Sequence, residues 1–596
     1  MKKFFSVRGF TLIEIVVAIA IFLIFSAGIY STLSMVFKIV YQSRLKILET
    51  AVLSEQLEIA RNLPYDSVGI LNGVPAGVLL HTQTIVRDGA TFTVLTTVRN
   101  IDDVYDGTLG GTPNDTAPAD YKHVEVSAIC NNCLQQTPTT LSTIVSPKNL
   151  EGASQNGALF IHVFDANGLP ISQANVHIIN SAVVPNIIID DVTDNNGDLK
   201  IIDAPTGTLS YHLTVSKSGY SSDSTVTSSA SNPNPLKPPA NVVSQTITEI
   251  SFSIDKVSNL VVSSVNQACD SVTGPTVNLR GNKIIGVNPD VYKTSKNFSL
   301  SSGSYNLDNL EWDTYHISVS GTAYDLAGSV PMLPLKLNPN VNQSLSLILK
   351  NHTTNSLLVK VKDAGTGLPL SDAVVRLYNG GFDDSVQTDL GYMRQTDWSN
   401  GGGQVNFLDE TKYFSDDGNL ENSFPAGDLK LKKTGNTYAL SGQLESSTFD
   451  LGGNVTLRNL ISEPISQSPQ SGTNPIRFQL AATSTLNAIY WNFVGPDGTA
   501  NSYYTSTNTL ISSDLSNKRY LRYKVFLSTA DNRYTPQLSE IDITYTNSCT
   551  PPGQVSWAGL SAGTYTLDVS HSGYSTNSGV IDISGNNEIE VNLSPL

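Results

Sequence analysis

The sequence predicts a mainly β protein, in which an N-terminal transmembrane α-helix is followed by several antiparallel β-sandwich domains. Three observations predict this fold class. An apolar run extends from Phe10 to Phe37, and Glu14 is its single charged residue. After residue 70, short alternating runs are separated by Gly, Pro, Asn and Asp, which is typical of sandwich strands. Parts of this pattern recur along the 596 residues, a length that indicates several domains.

The predicted helix covers residues 10–63. About twenty apolar residues span a bilayer, and the run from Phe10 to about Tyr30 reaches that length. Further apolar residues follow at near-helical spacing until Pro64 ends the pattern. The helix is therefore expected to cross the membrane over about residues 10–30 and to continue onto a globular head.

A basic leader precedes the helix and contains Lys2, Lys3 and Arg8. By the positive-inside rule, these cations keep the N-terminus in the cytoplasm, so that the chain crosses the cytoplasmic membrane once and its β-domains lie outside. A carboxylate at bilayer depth, such as that of Glu14, is costly and indicates a functional site.

The string Gly9-Phe10-Thr11-Leu12-Ile13-Glu14 resembles the N-terminal signal of type IV pilins and type II secretion pseudopilins. The resemblance implies that residues 1–9 are a leader, and that prepilin peptidase cuts between Gly9 and Phe10 and methylates Phe10. It also implies that Glu14 pairs with the N-terminal amine of a neighbouring subunit during assembly. A plain membrane anchor with a tolerated Glu is the alternative.

Residues 64–152 follow the helix as a predicted β head. Strand patterns occur at Thr91–Val98, at Val124–Ile129 and at Leu141–Val145. This segment resembles the β head of minor pilins and pseudopilins.

An internal repeat then defines the predicted domains. Residues 156–180 and 355–379 share a strand, an Asp-Ala turn, Gly-Leu-Pro, Ser-x-Ala and a second strand. The repeat is similar to the carboxypeptidase regulatory-like domain, a small β-sandwich, and this resemblance implies a later Thr-Asp-x-x-Gly turn and a Leu-x-Ala-Gly-x-Tyr motif. We predict one such sandwich at residues 156–255 and a degenerate copy at 256–350.

The last copy is interrupted. Thr396-Asp397-Trp398 fits its turn, but Leu-x-Ala-Gly-x-Tyr comes only at Leu560–Tyr565. We therefore predict a split sandwich of residues 353–408 and 553–596, with residues 409–550 inserted as a separate domain, since insertion at an exposed loop is tolerated. Two truncated modules are the alternative. The insert resembles the jelly-roll sandwiches of bacterial surface proteins, which implies surface display or glycan contact.

Candidate catalytic and metal-binding motifs are weak. Gly559–Gly563 matches a nucleophile elbow, but a strand pattern follows it where the elbow needs a helix. Cys130 and Cys133 are expected to form a local disulfide rather than stay free thiols, and a bond between Cys269 and Cys549 is left open. No metal site and no cofactor are expected, and we expect that the chain is not an enzyme.

The favoured function is that of a minor type IV pilin-like subunit, inserted in the membrane and then assembled into a pilus that displays β-sandwiches for surface adhesion. Its expected partners are prepilin peptidase, other pilin subunits, the cytoplasmic membrane and a surface glycan or a host or neighbouring cell. The net charge of -16 argues against nucleic acid as a partner. The alternatives are a pseudopilin of a secretion or DNA-uptake system and a membrane-tethered enzyme or glycan-binding protein.

Overall fold

The computed structural model describes residues 11–133, 137–148, 152–423, 425–486, 488–505 and 509–596. It confirms the predicted fold class, because one long N-terminal helix is followed by mostly antiparallel sheets. The chain divides into two compact units. One runs to Lys256 and includes Ile285–Val291, and the other contains Val257–Ile284 and Tyr292–Leu596.

The first unit begins with α1, Leu12–Asn62, whose 51 residues correspond to about 77 Å of helix. Pro64 follows directly after the C-cap residue Leu63, and a proline cannot continue the helical hydrogen bonding. Val52, Leu53, Leu57 and Ala60 near the end of α1 are buried against the head. In the part of the chain that the structure describes, α1 is the one helix long and apolar enough to cross a membrane.

The head is a four-stranded antiparallel sheet in the order β1-β2-β3-β4. Along β2 and β3 every second residue is buried, and these residues form one core with the last turns of α1. The predicted strands lie within this sheet. Its strands are β1 (Thr82–Arg87), β2 (Ala90–Ile101), β3 (Tyr121–Cys130) and β4 (Thr139–Val145).

The first sandwich packs two sheets around a core that includes Tyr211 and Phe252. One sheet has the order β10-β9-β6-β7 with β11 on β9, and the other has the order β12-β5-β8. Arg99 of the head donates from Nε to Asp191 Oδ2 on β7 at 2.8 Å. The strands are β5 (Gly157–Phe164), β6 (Asn175–Asn180), β7 (Ile187–Val192), β8 (Asp198–Ala204), β9 (Gly207–Ser216), β10 (Asp223–Ser224), β11 (Ala240–Val242) and β12 (Ile247–Ser253).

The second sandwich consists of sheets in the orders β18-β13-β22-β20 and β17-β14-β19-β21, and β15 and β16 form a separate two-stranded sheet. Leucines from both sheets fill its core. The strands are β13 (Ser258–Val265), β14 (Thr276–Gly281), β15 (Ile284–Gly286), β16 (Val291–Tyr292), β17 (Ser295–Ser299), β18 (Ser304–Leu310), β19 (Asp313–Ser320), β20 (Tyr324–Val330), β21 (Leu335–Leu337) and β22 (Asn342–Asn351).

A third sandwich, here called the split sandwich, combines two distant parts of the sequence. Its sheets are ordered β39-β23-β42 and β25-β24-β40-β41, and Leu377 and Trp557 lie in one core. The parallel pair β23 and β42 aligns Val361 with Val591. The strands are β23 (Ser356–Asp363), β24 (Val374–Asn379), β25 (Phe382–Gln387), β39 (Gln554–Ala558), β40 (Gly563–Ser570), β41 (Asn577–Ile583) and β42 (Asn586–Leu593).

The remaining strands form the insert, which has its own core and a sheet in the order β26-β38-β33-β36-β32-β27, with β34 on β36. Its strands are β26 (Gly391–Gln395), β27 (Ser415–Asp416), β28 (Leu420–Ser423), β29 (Ala426–Leu431), β30 (Lys433–Thr434), β31 (Thr437–Tyr438), β32 (Ser441–Glu445), β33 (Phe449–Glu463), β34 (Ile476–Thr483), β35 (Thr509–Leu510), β36 (Lys518–Ser528), β37 (Gln537–Leu538) and β38 (Glu540–Thr546). Short 3-10 helices occur at Tyr65–Ser67, Pro469–Ser471 and Ser513–Leu515.

The boundary of the insert differs from the predicted one. The sequence placed residues 391–408 with the split sandwich, but β26 pairs with β38 of the insert. Trp398 is fully buried in the insert core, where its Nε1 donates to the Tyr523 hydroxyl at 2.9 Å. Burial of this large side chain holds the segment in the insert, because moving the indole into water would lose the free energy gained by burying its apolar surface.

Candidate functional site

Glu14 lies in the first turn of α1. The side chain of Thr11 caps the helix, because its Oγ1 accepts a hydrogen bond from the Glu14 amide at 3.3 Å. The Glu14 carboxylate in turn accepts from the Thr11 amide at 2.8 Å. This reciprocal capping box satisfies two amides at the helix start and fixes the carboxylate there. The predicted cleavage and methylation pair, Gly9 and Phe10, lies outside the described residues.

The helix surface beyond Glu14 is apolar and uncovered. Phe22 is 69% exposed and Phe37 is 72% exposed. A continuous apolar surface of this length is unfavourable in water and requires lipid or other helices around it. The site at the N-terminus is thus a single carboxylate at the start of an apolar rod, a geometry suited to insertion and to side-by-side helix packing.

The insert is attached through a single turn of the split sandwich, and the turn starts at Thr388. This side chain is fully buried. Its Oγ1 accepts from the Ala373 amide at 3.0 Å and donates to the Leu370 carbonyl at 2.8 Å. The chain leaves for the insert after Asp389 and returns at Gly553, whose amide donates to the Asp389 carboxylate. The two ends of the insert are therefore hydrogen-bonded to each other.

The first sandwich contains the same turn without an interruption. Thr193 Oγ1 accepts from the Ala174 amide at 3.0 Å and donates to the Ile171 carbonyl at 2.6 Å. Gly197 occupies the position of Gly553. The Gly197 carbonyl accepts a hydrogen bond from the Val163 amide at 2.8 Å, and the Gly553 carbonyl accepts one from the Val361 amide at 2.7 Å. In both sandwiches the donor lies on the first strand. Both glycines have positive φ, of 76° and 63°.

This match corrects the predicted turn. Thr396-Asp397 was assigned to it, but Thr388-Asp389 forms it, so the insert interrupts the turn itself. A Cβ on Gly553 would lie 2.7 Å from the Val361 carbonyl oxygen, which explains why glycine stands where the chain re-enters. The sequence signal was present, because Thr388-Asp389 is the first Thr-Asp pair after Ala373.

An ion cluster lies at the base of the insert. Arg394 on β26 donates to Asp542 on β38 at 2.8 and 3.0 Å and to Asp384 on β25 at 2.9 Å. The indole of Trp557 also donates to Asp384, at 2.8 Å. Burial, together with the charge of Asp542, raises the pKa of Glu540 to about 7. Because Asp384 belongs to the split sandwich, the cluster ties the insert to its support.

Two disulfides are present. Cys130 and Cys133 form the predicted local bond at the end of β3. Cys269 and Cys549, which the sequence left open, form a second bond across 280 positions, with their Cα atoms 5.5 Å apart. Cys549 follows the last strand of the insert, and Cys269 follows β13 of the second sandwich. Disulfides of this kind persist in oxidising compartments outside the cytoplasm.

The elbow-like string Gly559–Gly563 connects β39 to β40, and Ser561 is exposed in this strand-to-strand turn. Its carbonyl accepts a bond from the Tyr565 hydroxyl at 3.0 Å. A nucleophile elbow requires a strand-to-helix turn, so this segment has the geometry of a sandwich turn. Within the described ranges no group of three His, Cys, Asp or Glu residues is arranged to hold a metal ion.

Comparison with known proteins adds one family. Residues 5–30 match the prokaryotic N-terminal methylation motif. No curated protein matches the chain. Among solved structures, the chain is similar to the Bacillus anthracis TIE protein, with 10% identity over 79% of this chain and 59% of that one, at a TM-score of 0.14. It thus spans about three fifths of that protein.

Two pilins are also among the similar structures. GBS52, the minor pilin of Streptococcus agalactiae, shows 10% identity over 33% of this chain and 96% of its own, at a TM-score of 0.16. A streptococcal ancillary pilin shows 10% identity over 74% of this chain and 99% of its own, at a TM-score of 0.13. At such TM-scores these likenesses carry no argument about this chain.

Proposed function

We propose that this chain, which carries the N-terminal methylation motif of type IV pilins, is a minor pilus subunit. In this proposal its β-sandwiches are displayed for surface adhesion. The motif implies processing by prepilin peptidase and assembly with other pilins. The finer proposal is a low-abundance or tip position, because several sandwiches on one helix would obstruct dense packing along a whole filament.

The observation that carries the proposal is the pairing of the motif with an uncovered apolar helix that has Glu14 in its first turn. Before assembly, the bilayer covers the helix, and the basic leader keeps the N-terminus in the cytoplasm. After assembly, neighbouring helices cover it. Glu14 then accepts a charge-assisted hydrogen bond from the amine of an adjoining mature subunit, which offsets the cost of burying the carboxylate.

The proposal assigns the β-domains a binding role and no catalytic one. Its support is the strand-to-strand turn at Ser561, which lacks the helix that an elbow nucleophile uses. The insert is the part best placed for display, because both of its ends emerge from one divided turn and three kinds of bond hold that base: the Asp389 hydrogen bond, the Arg394 cluster and the Cys549 disulfide.

Glu14→Leu tests the proposal in cells that assemble type IV pili. We expect normal membrane insertion, since the substitution makes the helix more apolar, but at least a tenfold loss of the chain from sheared filaments. Glu58→Leu is the matched control. Glu58 is an exposed acid on the same helix that pairs with Arg61, and its loss should leave incorporation unchanged. Equal incorporation of both variants would refute the assembly role of Glu14.

The mature N-terminus gives a second readout. Co-expression with prepilin peptidase is expected to yield a chain that begins at methylated Phe10, detected by mass spectrometry of the N-terminal peptide. A chain that keeps residues 1–9 under these conditions would instead support a plain membrane anchor.

A further inference from the structure

We infer that one face of the insert binds a carboxylate-bearing saccharide. The face lies on three neighbouring antiparallel strands, β32, β36 and β34. Gln443, Phe526 and Arg477 align in one row across these strands, and Glu445, Lys524 and Gln479 align in the next. Lys524 and Phe526 alternate with the buried Val525 and Leu527, so these rows lie on the side of the sheet opposite the core.

Aromatic rings from the loops after β34 lie against this face. The guanidinium of Arg477 is 4.7 Å from the ring centre of Tyr503, and the Lys524 ammonium is 4.2 Å from that of Phe493. Tyr503 meets Phe526 edge-on, with 5.3 Å between ring centres. The rings hold both cations in place. We call these five residues the cation–aromatic face.

Arg477 is not neutralised. Among the described residues no carboxylate lies within ion-pair distance of its guanidinium, and its buried Nε has no hydrogen-bond partner. Lys524, in contrast, has Glu445 at 3.3 Å. Four other arginines of the insert pair with a carboxylate: Arg394, Arg519, Arg522 and Arg533. Arg458, which is exposed, has no aromatic ring against it among the described residues. The Arg477 side chain as a whole is only partly buried, so a carboxylate supplied by a ligand can bind the guanidinium that no carboxylate of the described residues occupies.

The chemistry of the face selects the class of ligand. A guanidinium fork binds a carboxylate through two parallel hydrogen bonds. The apolar face of a pyranose ring packs on aromatic side chains, and the amide of Gln443, exposed beside Phe526, can bond sugar hydroxyls. Tyr490, three residues before Phe493, is 90% exposed and offers a further ring. In a chain with a net charge of -16, a locally cationic face is complementary to an acidic sugar.

This inference rests on the proposed adhesive function and names its ligand. The test uses the full chain in detergent micelles and two probe pairs, 3′-sialyllactose against lactose and tetragalacturonate against its methyl ester, with affinity measured by isothermal titration calorimetry. We expect at least one acidic probe to bind at least tenfold more tightly than its neutral counterpart, and Arg477→Gln to remove at least nine tenths of that affinity.

Arg458→Gln is the matched control, because it removes the same charge from an exposed position of the insert. It should leave the affinity unchanged. Arg477→Lys keeps the charge but not the fork, and should weaken binding at least threefold. Failure of both acidic probes to bind would overturn the inference, as would equal affinity of Arg477→Gln and the unaltered chain. A single-stranded oligonucleotide that bound as tightly through Arg477 would also overturn it, because the class of ligand would then be wrong.

Filament incorporation separates this inference from the proposed function. Arg477→Gln should enter filaments normally, since it is far along the sequence from the helix and lies in a separately folded core. Normal incorporation together with absent saccharide binding would remove the ligand assignment and leave the assembly role of Glu14 standing.

Discussion

Thr388→Val is the sharpest test of the divided turn. Valine has nearly the shape of threonine, so the substitution removes the hydroxyl and leaves the packing in place. The buried Ala373 amide and the Leu370 carbonyl then lose their partner, at 3.0 and 2.8 Å respectively. Each unsatisfied backbone group costs about 1–3 kcal/mol, and the added methyl burial returns about 0.8 kcal/mol. We therefore expect the free energy of unfolding of the split sandwich to fall by about 1–5 kcal/mol.

Hydrogen exchange with mass spectrometry measures this loss by segment. If exchange in the split sandwich proceeds through its cooperative opening, a loss of about 1–5 kcal/mol accelerates exchange by about fivefold to several-thousand-fold. The acceleration should appear in β24 and equally in β40 and β42, although these strands are separated in sequence by the whole insert. The strand pairing requires this joint response, because β24 and β40 are hydrogen-bonded neighbours.

Thr193→Val is the control, because its hydroxyl makes the same two bonds in the first sandwich. It should accelerate exchange in β6 and leave β24 unchanged. If Thr388→Val accelerated exchange in β24 while β40 and β42 kept their protection, the two parts would be separate modules, and the reasoning about a divided turn would be refuted.

Two further predictions concern the second unit. Replacing Cys269 and Cys549 by Ser opens a loop of 280 positions, and we expect the free energy of unfolding of this unit, measured by urea titration, to fall by about 3–5 kcal/mol. The same change at Cys130 and Cys133, which are three positions apart, should cost far less stability, because a short loop restricts the unfolded chain less. Equal losses for the two pairs would contradict this prediction. Burial lowers the pKa of Lys350 to about 8, so between pH 8 and about 10.5 the unfolded chain binds more protons and the free energy of unfolding should rise with pH. Lys350→Met should flatten that rise in urea titrations, and an unchanged slope would exclude Lys350 as its source.

The sequence by itself determined the fold class, the helix and the existence of the split sandwich. The apolar run between the leader and Pro64 depends on composition alone, and the helix that it predicts is present as Leu12–Asn62. Alternation of apolar residues is a local property, so most strands of the head and sandwiches follow from it. The separated halves of one motif, at residues 355–379 and Leu560–Tyr565, indicated that distant segments share a core, and their strands do pair.

Only the tertiary structure decided where the insert begins, that Cys269 pairs with Cys549, and that Arg477 lies against an aromatic ring without a carboxylate partner among the described residues. Two Thr-Asp pairs, at Thr388 and Thr396, satisfy the same local pattern, and the choice depends on which hydroxyl reaches the Ala373 amide. Cys269 and Cys549 meet because the second sandwich and the end of the insert are brought within 5.5 Å. Arg477 differs from other arginines only in its surroundings. The physical reason is common to all three: strand formation is set by neighbouring residues, whereas partners far apart in sequence are chosen by the free energy of packing the whole domain.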